Sequence, residues 1–137
     1  MRVLARIRAL SVPDLLLVAR ENSGPGEEAR KAIVSFAFDD APAMSALISE
    51  ISGGKGHRGL LEELLKQAPD RLCQVSDQIL ELLQSPFAGV RKSVIASLSS
   101  GWIDARTARD LALKAIQDDS PPVRSEAARI LQRQAQA

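Results

Sequence analysis

Three ten-residue segments, EARKAIVSFA from Glu28, GVRKSVIASL from Gly89 and PVRSEAARIL from Pro122, share one pattern. Each sets an apolar residue (Ala29, Val90, Val123) before an arginine (Arg30, Arg91, Arg124). Apolar residues then recur four and eight positions after the first: Ile33 and Ala37, Val94 and Leu98, Ala127 and Leu131. Such spacing keeps side chains on one side of an α-helix. The step that carries Arg91 onto Arg124 also carries Leu83 onto Ile116 and Gln84 onto Gln117 in the preceding helix. A period of about 20–50 residues with two helices per unit marks an α-solenoid, in which each helix pair buries its apolar face against the next.

Helical punctuation runs through the rest of the chain. Ser11, Pro13 and Asp14 form a capping-box-like start for a helix carrying Leu15, Leu16 and Ala19, and ENSGPG at 21–26 breaks it. Glu27 and Glu28 favour the positive end of a helix with Ala29, Ala32, Ile33 and Phe36 on one face, ending near Asp39. Asp40 and Pro42 open another with Met44, Leu47, Ile48 and Ile51 inward, closed by SGGKG. Leu60, Leu61, Leu64 and Leu65 line a fifth helix that Pro69 stops. Asp70 is placed to cap a sixth, with Leu72, Val75, Ile79 and Leu82 inward. Ser85 and Pro86 start the seventh; Asp104 caps an eighth with Ala108, Leu111, Ala112, Ala115 and Ile116 in register; Ser120 and Pro121 start the ninth. Nothing reads as a strand, so the expectation is a single all-α domain of nine helices over 1–137.

Composition agrees. Aromatics are 3% of residues and Tyr is absent, so the core must come from Ala, Leu, Ile and Val. The formal net charge of +1 supplies no global field toward nucleic acid or anionic membrane. Cys73 stands alone, which excludes an internal disulfide and a cysteine-rich zinc site. Arginines at 2, 6 and 8 interrupt any signal-peptide core, and Leu15–Ala19 is far short of the roughly 20 residues that span a bilayer. An amphipathic first helix with Val3, Leu4, Ile7 and Leu10 inward is expected, in a cytoplasmic protein with no membrane partner.

The stretch DDSPPVRSEAARIL from Asp118 resembles the core of a bacterial HEAT repeat, with Asp and Pro at the turn, Val-Arg opening the second helix, then Ala and Leu at core spacing. The clearest units cover 77–99 and 104–133, and 40–70 has helices without the motif. Ser85 stands where the turn aspartate belongs in the earlier unit. The resemblance implies a short HEAT-like solenoid; a non-repetitive helical bundle is the alternative. It also implies that Arg30, Arg91 and Arg124 bridge neighbouring units.

Catalytic patterns fail on inspection. SGGKGHRG, 52–59, has Lys55, His57 and Arg58 among glycines, but a phosphate loop needs G-x-x-x-x-G-K-[ST] after a strand, and here a helix precedes. Free amides at the start of the next helix could hold an anion, though glycine clusters mostly punctuate. His57 is the only histidine, so neither a multi-histidine metal site nor a well-placed Ser-His-Asp arrangement follows. The acid pairs Asp39–Asp40, Glu62–Glu63 and Asp118–Asp119 sit at helix starts or corners, where capping accounts for them. The chain is therefore read as a non-enzyme without metal or cofactor.

Recognition is expected on the helix faces turned from the core. At roughly 100° per residue, these positions are Lys31, Ser35 and Phe38; Lys92, Ala96 and Ser99; and Ser125, Arg129 and Gln132. In HEAT-like solenoids such second helices line the concave face. The surface is mildly basic and otherwise small or polar, with Phe38 a candidate anchor. Trp102, just after Gly101, is expected to wedge between helix pairs. The function expected is binding another protein, as an adaptor or as an inhibitor or immunity protein for a toxin or enzyme. The alternative partner is a nucleic-acid backbone: from Pro86 onward eight Lys and Arg face five Asp and Glu, a modest excess. The end faces of a short solenoid could also pair, with Leu72 and Cys73 near one of them.

Overall fold

The computed structural model describes residues 24–53 and 58–136. Among them are eight α-helices and no strand, so the described residues are all-helical. The first two expected helices, with Val3 and the Ser11–Asp14 start, lie outside the described residues, as do Lys55 and His57. No helix among the described residues is long and apolar enough to cross a membrane.

The chain divides into two compact units, Met1–Lys66 and Gln67–Ala137, each with its own core. In the first, α1 (Gly24–Ala37) packs on both α2 (Ala41–Ser52) and α3 (Arg58–Leu65). Ala29, Ile33, Val34 and Ala37 bury one stripe of α1 against Met44, Leu47, Ile48 and Ile51 of α2 and Leu60, Leu61 and Leu64 of α3. Each such Leu or Ile contributes roughly 1.5–3 kcal/mol by leaving water. Asp40 is the N-cap residue of α2 in extended backbone conformation, with Pro42 in the first turn where no amide donor is needed. The stripe on α1 is rotated from the expected one. Val34, not Ala32, faces the core, so Phe36 is exposed and Phe38 is half-buried. The outward aromatic of α1 is Phe36.

The second unit begins with α4 (Pro69–Gln74) and α5 (Ser76–Glu81), followed by a short 3₁₀ turn, Leu82–Gln84. The single sixth helix expected from the sequence is broken at Val75, whose backbone (φ −120°, ψ 23°) leaves the helical range. Asp70 lies in the first turn of α4 beside Pro69, and the N-cap is Ala68. Next come α6 (Ala88–Ser97) with a 3₁₀ turn at Leu98–Ser100, α7 (Ala105–Ala115) and α8 (Pro121–Gln136). Asp104 caps α7 as expected, accepting from the Thr107 amide at 2.9 Å and from the Thr107 hydroxyl at 2.7 Å. Helix α8 packs on both α6 and α7. Their buried residues include Val94, Ile95 and Leu98, Ala108 and Ala112, and Val123, Ala127 and Ile130.

Gly101 adopts φ +94°, a left-handed conformation that favours glycine, and so turns the chain sharply after the second 3₁₀ turn. The turn delivers Trp102 into the core, where its indole N–H donates to Ser97 O at 2.9 Å and Ser97 Oγ at 3.2 Å. Trp102 is thus a core residue of the second unit, satisfied by the C-terminal turn of α6.

Candidate functional site

The corner before α8 is built by Asp118. Its amide donates to Ala115 O at 3.0 Å, closing α7, and its Oδ1 accepts from the Ser120 amide at 2.9 Å, turning the chain into α8. Arg124, one turn into α8, donates from Nη1 to Asp118 O at 2.7 Å. The corresponding corner before α6, built by Ser85, makes the same kinds of contact. The Ser85 amide donates to Leu82 O at 3.1 Å, and Ser85 Oγ accepts from the Phe87 amide at 3.2 Å. Arg91 Nη1 donates to Ser85 O at 2.8 Å. The amides of Arg91 and Arg124 each donate to the carbonyl one helical turn back, Phe87 O and Ser120 O. The hydroxyl of Ser85 therefore replaces the turn aspartate in its local role.

The remaining edge of Arg91 reaches the next corner. Its Nε and Nη2 grip Asp118 Oδ2 and Oδ1 at 3.0 and 3.1 Å, and Nη2 also approaches Asp119 Oδ1 at 3.3 Å. The two side chains are only 15% and 16% exposed, so this is a bidentate, largely desolvated pair. Each partner holds the other charged: the Asp118 carboxylate hydrogen bond raises the Arg91 pKa, and the Arg91 guanidinium hydrogen bond lowers that of Asp118. Arg30, at the matching position of the first unit, is buried.

Beside this pair runs a cleft of about 240 Å³, its apolar lining including Leu80, Leu83, Leu111 and Ala115. That is below the roughly 300–1,000 Å³ of ordinary small-molecule sites. Its polar lining is the Arg91–Asp118 pair, whose groups are engaged with each other, together with Gln84 and Lys114. The cleft is a seam between helices.

The outward positions behave as helix geometry predicts in α6 and α8. Lys92, Ala96, Ser99, Ser125, Arg129 and Gln132 are all exposed. Ser99 Oγ accepts from Arg133 Nη1 at 3.4 Å, which brings the outer C-terminal turns of the two helices to one surface. Arg129 pairs with Glu126 on its own helix at 3.5 Å, while Lys92 has no ion pair among the described residues. In the first unit Lys31 and Ser35 are exposed, with Lys31 paired to Glu27 at 3.4 Å. Phe38 is half-buried and has an interaction of its own, and the exposed aromatic of α1 is Phe36. Leu72 is buried and Cys73 exposed. Sequence reasoning missed the exposed Leu113 and placed Ile116 inward, whereas it is 39% exposed. No family model, curated protein or solved structure matches the chain.

Proposed function

We propose that the chain is a non-catalytic protein-binding module, a short HEAT-like solenoid whose second helices present a recognition surface for another protein. The observation that carries this reading is the repeated corner. The corners at Ser85 and Asp118 use the same hydrogen bonds, and Arg91 of the first clasps Asp118 of the second. Stacked helix pairs joined in this way hold an extended surface rigid without catalytic groups, which suits an adaptor or an inhibitor or immunity protein that covers a partner's site. The surface so held consists of Lys92, Ser99, Ser125, Arg129 and Gln132, with Lys31 and Ser35 the corresponding positions of the first unit.

Nucleic-acid backbone binding is the weaker reading. Lys31 and Arg129 are each compensated by a glutamate on the same helix, so little of the unbalanced basic stripe that drives counterion release remains. The test is affinity capture from native lysate with the wild type and with Lys31→Glu/Lys92→Glu/Arg129→Glu. A protein retained by the wild type and lost by the variant supports the assignment. Equal retention refutes it. Salt-sensitive retention of random duplex DNA by the wild type would favour the nucleic-acid reading instead.

A further inference from the structure

We infer that the α7–α8 face carrying Leu113, Ile116, Arg124, Ala128 and Leu131 binds a second copy of this chain in a two-fold contact. In that contact Arg124 of each protomer takes Asp119 of the partner subunit.

These five residues repeat, in order and at one constant step, Leu80, Leu83, Arg91, Ile95 and Leu98. In the earlier set, Ile95 and Leu98 are buried, and Leu80 and Leu83 are half-buried and line one cleft with Leu111 and Ala115. Arg91 spends its Nε and Nη2 on Asp118. In the later set nothing among the described residues provides that cover. Leu113 is 48% exposed, Ile116 is exposed, and so is Ala128. Arg124 uses Nη1 on Asp118 O, and its Nε and Nη2 have no partner among the described residues. This face repeats the apolar pattern and the arginine clasp of an internal joint, so what covers the joint inside the chain states what the face requires: apolar side chains beside a carboxylate.

A second copy supplies both. Asp119 sits at the α7–α8 corner, shortly before Arg124, with a side chain 95% exposed and only the 3.3 Å approach of Arg91. Helices α7 and α8 pack together across a short connection, which makes them antiparallel neighbours. A two-fold axis along the helix direction keeps the corners of both protomers at the same end and lays α7 of one antiparallel on α8 of the other. Leu113 and Ile116 then meet the small Ala128 and the half-exposed Leu131 of the partner subunit, and each Arg124 faces Asp119 of the partner subunit. The contact is isologous and closes at two copies. It uses a side of α8 different from that of Ser125, Arg129 and Gln132, so it leaves the recognition surface free.

Sedimentation equilibrium of the full chain over about a hundredfold range of concentration tests this by mass action. The mass should rise from the 14.8 kDa monomer to a dimer and stop there. Leu113→Glu, Arg124→Glu and Asp119→Arg should each weaken dimerisation by about tenfold or more. Arg124→Glu/Asp119→Arg, which restores opposite charges across a two-fold contact, should recover it to within about threefold. Lys92→Glu should leave dimerisation unchanged, and an unchanged far-UV circular-dichroism spectrum of Leu113→Glu shows that the fold is intact. A monomer at every concentration, a dimer indifferent to Leu113→Glu, growth beyond two copies, or a double variant as weak as its singles each overturns the inference. So does a monomer that uses Leu113 only to bind a different protein.

Discussion

Replacing Arg91 and Asp118 by alanine, singly and together, measures how much the second unit depends on the joint between its two corners. The pair is bidentate at 3.0 and 3.1 Å, and its side chains are 15% and 16% exposed. An exposed ion pair contributes about 0–1 kcal/mol, whereas breaking a buried one costs about 3–5 kcal/mol. With most of its area covered and its outer edge wet, Asp118→Ala should cost about 2 kcal/mol. Arg91→Ala should cost about 3 kcal/mol, because it also takes a charged donor from Ser85 O. The coupling between them should be about 1.5 kcal/mol. The pH dependence has a fixed sign. The folded-state pKa of Asp118 is lowered, so its contribution is fully present above the ordinary carboxylate value near 4 and is lost as pH falls through the lower folded value. That of Arg91 is raised, so its side of the linkage disappears only in strong alkali. Urea unfolding followed by fluorescence is well suited, since Trp102 is the only tryptophan and lies in this core. A coupling below about 0.5 kcal/mol at neutral pH, or one that persists unchanged well below pH 4, would refute the reasoning.

Two further perturbations probe the turn that follows α6. Gly101→Ala meets no atom within 4 Å of the added Cβ, so its cost is the left-handed backbone alone. That is about 1–2 kcal/mol, or a drop of several degrees in Tm read by circular dichroism, and an unchanged Tm would show that the turn relaxes. Trp102→Phe keeps an aromatic but removes the donor to Ser97 O and Oγ, and should cost about 2 kcal/mol by the same method. A loss under about 0.5 kcal/mol would mean that Ser97 finds another donor.

Helix type and most core positions were legible because spacing decides them. Val94, Ala127, Leu47 and Leu64 are buried where the pattern places them. A buried stripe is not always centred on its most regular members. On α1 the choice between Ala32 and Val34 rotates the face enough to exchange the exposures of Phe36 and Phe38, and only packing on α2 and α3 decides it. The break at Val75 is silent because Leu72, Val75, Ile79 and Leu82 fit one continuous helix as well as two short ones. Ser85 was read as a departure from the turn aspartate, yet its hydroxyl performs the same local hydrogen bond. What Ser85 lacks is the second carboxylate oxygen that lets Asp118 turn its own chain and hold Arg91 as well.

Arg91 and Arg124 show why the candidate surface could be only half read. Their local sequences are the same, Val-Arg in the first turn of a helix, and each donates Nη1 to the carbonyl of its own corner residue, Ser85 or Asp118. A guanidinium has five donors in a fixed fork, so one bond to a carbonyl leaves an edge that must find a carboxylate or water. For Arg91 that edge is filled by Asp118, and the residue is a tie within the scaffold. For Arg124 the same edge has no partner among the described residues, and Leu113 and Ile116 are exposed. The difference lies in what packs against the outer edge of each arginine, which the spacing of one motif cannot reveal.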